Sequence, residues 1–206
     1  LSLRRAVHDH AGQAQSTAIQ RQDLRTFCGL IRPRADRVKV ARNEAAALFV
    51  SIHADALPRG EGDAQGATIY TLAEKASDAE AEALAHKENR ADIIGGIDLG
   101  TESEEVTDIL IDLVQRESKN HSIVFAKKAV AEMRDVPGFT GKPMRSAGFV
   151  VLKAPDVPSV LIELGYLSSR HDESQLTSAG WRDKVATAMA RAIDKHFATE
   201  LAQRSN

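Results

Sequence analysis

A chain of 206 residues is long enough for one α/β domain with a full core and too short for two ordinary ones. Hydrophobic residues at 43% and charged residues at 27% have the balance of a globular protein, and aromatics at 4% leave the core to Ala, Val, Leu and Ile. No apolar run approaches a membrane span, and a net charge of −2 gives no case for nucleic acid.

The charge is uneven: residues 1–42 hold nine Lys or Arg against three acids, a net of +6, which leaves −8 for the remainder. No aromatics interleave with those cations, so a solvated surface is expected there rather than a polymer-binding arm. Cys28 is the single cysteine, which excludes an internal disulfide. Residues 1–20 lack the apolar segment of a signal peptide.

Residues 1–30 are expected to be weak helix or disorder, because Gln13, Gln15, Gln20 and Gln22 interrupt any apolar face. From Asp36 the pattern sharpens. Val38, Val40, Ala41 and Ala45 to Ala47 suit a short helix, and Leu48 to Ile52 is a compact β run ending at His53. Gly60, Gly62 and Gly66 mark a loop, and Ala67 to Leu72 reads as the next strand.

Then the period changes. Ser77 and Asp78 cap a helix running to about Arg90, with Ala81, Leu84 and Ala85 on one stripe. Ile94-Gly95-Gly96-Ile97 breaks it. A second helix carries Val106, Ile109, Leu110, Leu113 and Val114, and another spans about Ser122 to Met133 before Pro137 and Gly138. Residues 147–153 resemble a buried strand, and Ser159 to Glu163 a further one. The last helix repeats Val185, Ala188, Met189, Ala192, Ile193 and Phe197 at three and four. Strands alternating with helices predict an α/β fold, a mainly parallel twisted sheet with helices on both faces.

Two strand ends carry chemistry. His53 closes one apolar strand and Glu163 another, and ligands of parallel sheets collect beyond the carboxyl ends of strands. An imidazole beside a carboxylate is the pairing that zinc-assisted hydrolysis uses. On spacing alone, a hydrogen-bonded core histidine and a solvated turn glutamate explain the same residues at least as well.

Three segments change that balance: Ser51-Ile52-His53-Ala54-Asp55, Ala147 through Pro155, and Pro158 through Glu163. In this order and spacing, across residues 35–198, the chain is similar to the zinc-dependent, division-associated N-acetylmuramoyl-L-alanine amidases. The resemblance implies a sheet of about six strands with a zinc ion (Zn2+) at the strand ends. It also implies hydrolysis of the amide between N-acetylmuramic acid and the first L-alanine of peptidoglycan stems. By position His53 matches a zinc histidine and Glu163 the catalytic glutamate. Residues 77–120 resemble the helical insertion of regulated members, in which a glutamate occupies the zinc until an activator displaces the helix. Glu88 falls at that place. The implied partners are peptidoglycan and an activator resembling an inactive wall metallopeptidase, and the implied location is the periplasm or cell envelope.

The chain divides, on this reading, into a poorly matching segment 1–34, a catalytic domain 35–200 and a tail 201–206. The family's Asp-Pro-Gly-His-Gly-Gly turn, with its zinc histidine, and a later ligand glutamate have no counterpart here. His8 and His10 lie upstream without a strand or glycine turn before them. A shifted reading frame or start upstream accounts for this, and the expectation is a poorly stable, inactive polypeptide. The alternative is a catalytically dead module of the same fold that binds wall or partner.

Overall fold

The computed structural model describes the backbone of residues 4–8, 14–18, 34–56, 65–94, 105–136 and 138–204. Side chains are described within 37–56, 65–90, 113–136, 138–139 and 141–199. In chain order the elements are β1 (Arg4–His8), β2 (Ala14–Ala18), α1 (Arg34–Asn43), β3 (Phe49–Asp55) and β4 (Ala67–Leu72). They continue with α2 (Ala79–Ile94), α3 (Glu105–Met133), β5 (Phe139–Ala147), a 3-10 turn (Val150–Leu152), β6 (Ser159–Tyr166), α4 (Arg170–Thr177) and α5 (Ala179–Arg204).

Four strands form the main sheet in the order β3-β6-β4-β5. β3 pairs with β6 and β4 with β5 in parallel, while β4 and β6 run antiparallel at the centre. The main sheet is therefore mostly parallel, as expected, but among the described residues it has four strands where the resemblance implied about six, with β1 and β2 forming a separate pair.

Side-chain alternation splits this sheet into two packed faces. Ile69, Val160 and Ile162 point to one side, where they meet Phe125, Ala126, Ala129 and Met133 of α3 and Trp181, Val185, Ala188 and Met189 of α5. Tyr70 and Leu161 point to the other, against Ala81, Leu84 and Ala85 of α2 and Phe149, Val151 and Leu152. Tyr70 and Phe149 meet edge-on at 5.2 Å. Ser51, His53 and Glu163 fall on this second face by the same alternation. No helix among the described residues is long and apolar enough to cross a membrane.

Three expectations need correction. Weak helix or disorder is the expectation for residues 1–30, yet β1 and β2 pair antiparallel, with His8 opposite Ala14. Their apolar residues, Ala6 and Val7 in one and Ala14 and Ala18 in the other, do not alternate with polar ones, so no period of two announces them. His10 lies outside the described residues.

The strand expected at 147–153 lies earlier, at Phe139–Ala147, and the apolar run after it is the 3-10 turn, closed by Leu152 N–H to Phe149 and Lys153 N–H to Val150. β5 is an edge strand, which tolerates Gly141 and Pro143 and so hides from a pattern search. The two helices expected at 106–114 and 122–133 are one helix of 29 residues. Its polar middle stays helical because Ser118 and Ser122 turn inward with partners: Ser118 Oγ donates to Pro155 O, and Ser122 Oγ accepts from Ser159 N. Those bonds fix the start of β6.

Candidate active site

His53 and Glu163 are direct register partners across the parallel β3–β6 pair. Immediately beyond them the register shifts, so that Asp55 pairs with Tyr166. This bulge redirects the Asp55 N–H from the ladder to the Glu163 side chain, where it donates to Oε1 at 2.9 Å. Gly165, at φ +148, allows the bend that follows; a Cβ there would stand 3.0 Å from Asp172. The Asp172 carboxylate ties the bend to the residue before β4 by accepting from Tyr166 N and Gly66 N. Glu163 thus sits on a strand whose end is held by Asp172 just beyond it.

The third element is α2. Asp78 caps it by accepting from Ala81 N, and Arg145 of β5 pairs with Asp78 and Glu80 in its first turn. The stripe Ala81, Leu84, Ala85 continues to Glu88, which is 3% exposed and faces the strand ends. Asn89 seats the helix: its amide donates to Gly148 O and accepts from Val150 N, each at 2.8 Å. Lys87 donates to Ala56 O at 2.7 Å and stands 3.6 Å from Asp55.

These elements bring His53, Glu163 and Glu88 together. His53 Nδ1 lies 3.3 Å from Glu88 Oε2 and 4.0 Å from Asp55 Oδ2, while its Nε2 is 2.9 Å from Ser51 Oγ. Ligand-type atoms of His53, Asp55 and Glu163 all lie within 4.8 Å of one another. Sequence reasoning missed Asp55 as a site residue. Its signal was there, since positions 53 and 55 of one strand share a face.

Three carboxylates around one imidazole make an electrostatic problem. Burial, reinforced by the Asp55 carboxylate, pushes the Glu163 carboxyl up to about 8. Burial and the neighbouring Glu88 also raise Asp55. Glu163 is fully buried, and its Oε2 has no hydrogen-bond partner. A buried orphan oxygen and an imidazole nitrogen turned toward carboxylates form a donor set that fits a divalent cation.

The cluster is covered rather than open. A groove of about 690 Å³ runs between α2, α3 and the 147–155 segment; Asn89 and His86 line it, whereas His53, Glu88 and Glu163 do not. α2 lies between that groove and the strand ends.

Comparison with known proteins agrees with this architecture. The family model for N-acetylmuramoyl-L-alanine amidase matches residues 13–195, starting upstream of residue 35. The chain is 35% identical to the N-acetylmuramoyl-L-alanine amidase AmiA of Escherichia coli K12 over 80% of its own length and 57% of the relative's. It is 33% identical to AmiC of Escherichia coli O6:H1, over 81% of this chain and 39% of that one. The chain thus spans little more than half the length of the first of these relatives. Among solved structures, the CwlD amidase of Clostridioides difficile, determined in complex with the GerS lipoprotein, has the same fold. It superposes with a TM-score of 0.51 at 20% identity, covering 88% of this chain and 66% of that one. On the match across residues 13–195, the chain belongs to the N-acetylmuramoyl-L-alanine amidase family of the amidase-3 type.

Proposed function

We propose that this domain hydrolyses peptidoglycan at the amide between N-acetylmuramic acid and L-alanine, with zinc held by His53 and, in the closed form, by Glu88. One observation carries the reading: His53 and Glu163, whose buried Oε2 has no hydrogen-bond partner, share one face toward the carboxyl ends of paired strands. Bound zinc supplies Lewis acidity toward the scissile carbonyl and the attacking water. Glu163 accepts the proton of that water and returns it to the leaving amine. Its raised proton affinity suits the second task, and a nearby divalent charge lowers it toward the range that the first requires. Ser51 holds the ring: its Oγ stands 2.9 Å from Nε2, and in the tautomer whose Nε2–H donates to it, Nδ1 would be left to hold the ion.

Glu88 makes the site self-blocking. A carboxylate 3.3 Å from His53 Nδ1 fills the position that hydrolysis needs open, and α2 covers the strand ends. Displacing α2 is the task of an activator, which we propose resembles an inactive wall metallopeptidase. The apolar Leu113 and Val114 on α3, 63% and 41% exposed, support a docking face on this insertion. The substrate places the working enzyme in the periplasm or cell envelope. The metal-ligand cluster among the described residues contains a single imidazole, so turnover by this polypeptide is predicted to be slow.

Incubating the chain with zinc and purified peptidoglycan, with mass spectrometry of the soluble products, tests the proposal. Stem peptides that begin at a free L-alanine and vanish with His53→Ala and with Glu163→Gln support it. Release unaffected by both substitutions overturns it, and wall binding without release favours the dead-module alternative.

A further inference from the structure

Hydrolytic zinc sites of this kind use three protein donors and one open position. His53 and Glu88 supply two, and Glu88 is the one that must leave. We infer that Asp55 is itself a direct metal ligand, the donor that keeps the ion on β3 when α2 moves. This rests on the metal-hydrolase reading above and extends it to a residue outside the motif roles described there.

The geometry argues for coordination. A tetrahedral ion with bonds of about 2.0–2.1 Å sets its donor atoms roughly 3.3–3.4 Å apart. His53 Nδ1 and Glu88 Oε2 already stand at 3.3 Å. Asp55 Oδ2, at 4.0 Å from the same nitrogen, needs only a small side-chain rotation to complete that set. This oxygen is buried, and the Asp55 carboxylate lies within hydrogen-bonding reach of the Glu88 carboxylate, so the two acids converge on the same point beside the imidazole. Its partner Oδ1 faces Lys87 at 3.6 Å, so the two oxygens divide between the cation outside and the cluster inside. The Asp55 main chain is committed as well, since its N–H holds Glu163 Oε1 at 2.9 Å. One residue thus orients the proton acceptor through its backbone and offers a donor through its side chain.

The assignment couples metal retention to the helix. With α2 seated, His53, Asp55 and Glu88 give three protein donors; with α2 displaced, His53 and Asp55 remain, one short of the usual three, which accords with the slow turnover predicted above, and the position of Glu88 opens to substrate or water.

The test is zinc affinity of the purified 206-residue chain, by competition with a chromophoric chelator, together with the visible absorption of the cobalt-substituted form. Asp55→Ala is expected to weaken zinc about 100-fold or more and to change the cobalt spectrum. Lys87→Met, which removes only an outer partner of Asp55, is expected to stay within the roughly 10-fold low end of such effects. Asp55→Asn keeps the packing and the main-chain bond to Glu163, and is expected to lose affinity even if the alanine variant folds poorly. If both Asp55 variants bind zinc within about 10-fold of the parent while His53→Ala does not bind, Asp55 is not a ligand and the metal-hydrolase reading stands. A parent chain that binds no zinc, or binds it equally after His53→Ala, overturns both.

Discussion

His53 and Glu163 face each other as register partners on adjacent parallel strands, on the side of the sheet that α2 covers. Nothing local in either segment enforces this meeting, since 109 intervening positions separate the two residues in the chain. It follows from the β3–β6 pairing, and that pairing is held by core contacts of Val160, Leu161 and Ile162.

Removing the Glu163 acid separates chemistry from structure. Glu163→Gln keeps the shape and the acceptor for Asp55 N–H, but not the proton transfer. Cleavage of the muramoyl–alanine amide is expected to fall by about 10²–10⁴, as for loss of a general acid–base group. Zinc affinity should change far less than it does in His53→Ala.

The metal-free chain should lose stability as pH rises. Glu163 has a folded value of about 8 against an ordinary 4.5, so between these limits the folded state holds a proton that the unfolded state releases. Its contribution is fully present below the ordinary value of 4.5 and is lost as pH rises through about 8. The amount at stake is on the order of a few kcal/mol. Urea denaturation across this range reads the slope. Glu163→Gln should flatten it, and a parent curve that rises with pH contradicts the reading.

The seating of α2 depends on Asn89. Its two hydrogen bonds to Gly148 and Val150 are worth about 0.5–1.5 kcal/mol each. Asn89→Ala should speed amide hydrogen exchange across residues 79–94 by roughly ten- to a hundredfold. Amides of α5 should keep their protection. Equal loosening of both helices would show instead that the variant unfolds the whole domain.

The α3–α5 face of the core carries the global stability. Ile162 is fully buried between β4 and the helices, so Ile162→Ala should cost about 2–5 kcal/mol in a chemical denaturation experiment. Leu113→Ala, on the exposed side of α3, should fall within about 0.5 kcal/mol of the parent.

Much of this architecture was legible in the residues. Ala67 to Leu72 and the run closing at His53 announced their strands because buried β-branched and aliphatic residues sit between clear breakers. Glu163 was legible as a strand residue for the same reason, although β6 runs past it to Tyr166 rather than closing there. β5 was not, because an edge strand with Gly141 and Pro143 lacks the pattern that a central strand must have. Residues 4–8 and 14–18 pair as strands whose apolar residues do not alternate, so they carry no periodic signal. Asp55 shares the face of His53 by strand alternation, a signal present in the sequence, whereas the bulge that turns its N–H onto Glu163 is a register shift between two distant strands and leaves no mark in either. Glu88 needed the family resemblance, since a helix acid on an apolar stripe gains meaning only from what the stripe covers.

Zinc-edge anomalous diffraction from crystals of the zinc-loaded chain tests the central claim most directly. The account predicts one strong peak about 2.0–2.1 Å from His53 Nδ1, with the Glu163 carboxylate beside it. A peak confined to other histidines such as His86 or His121, or His53 and Glu163 turned away from a common ion, would contradict it.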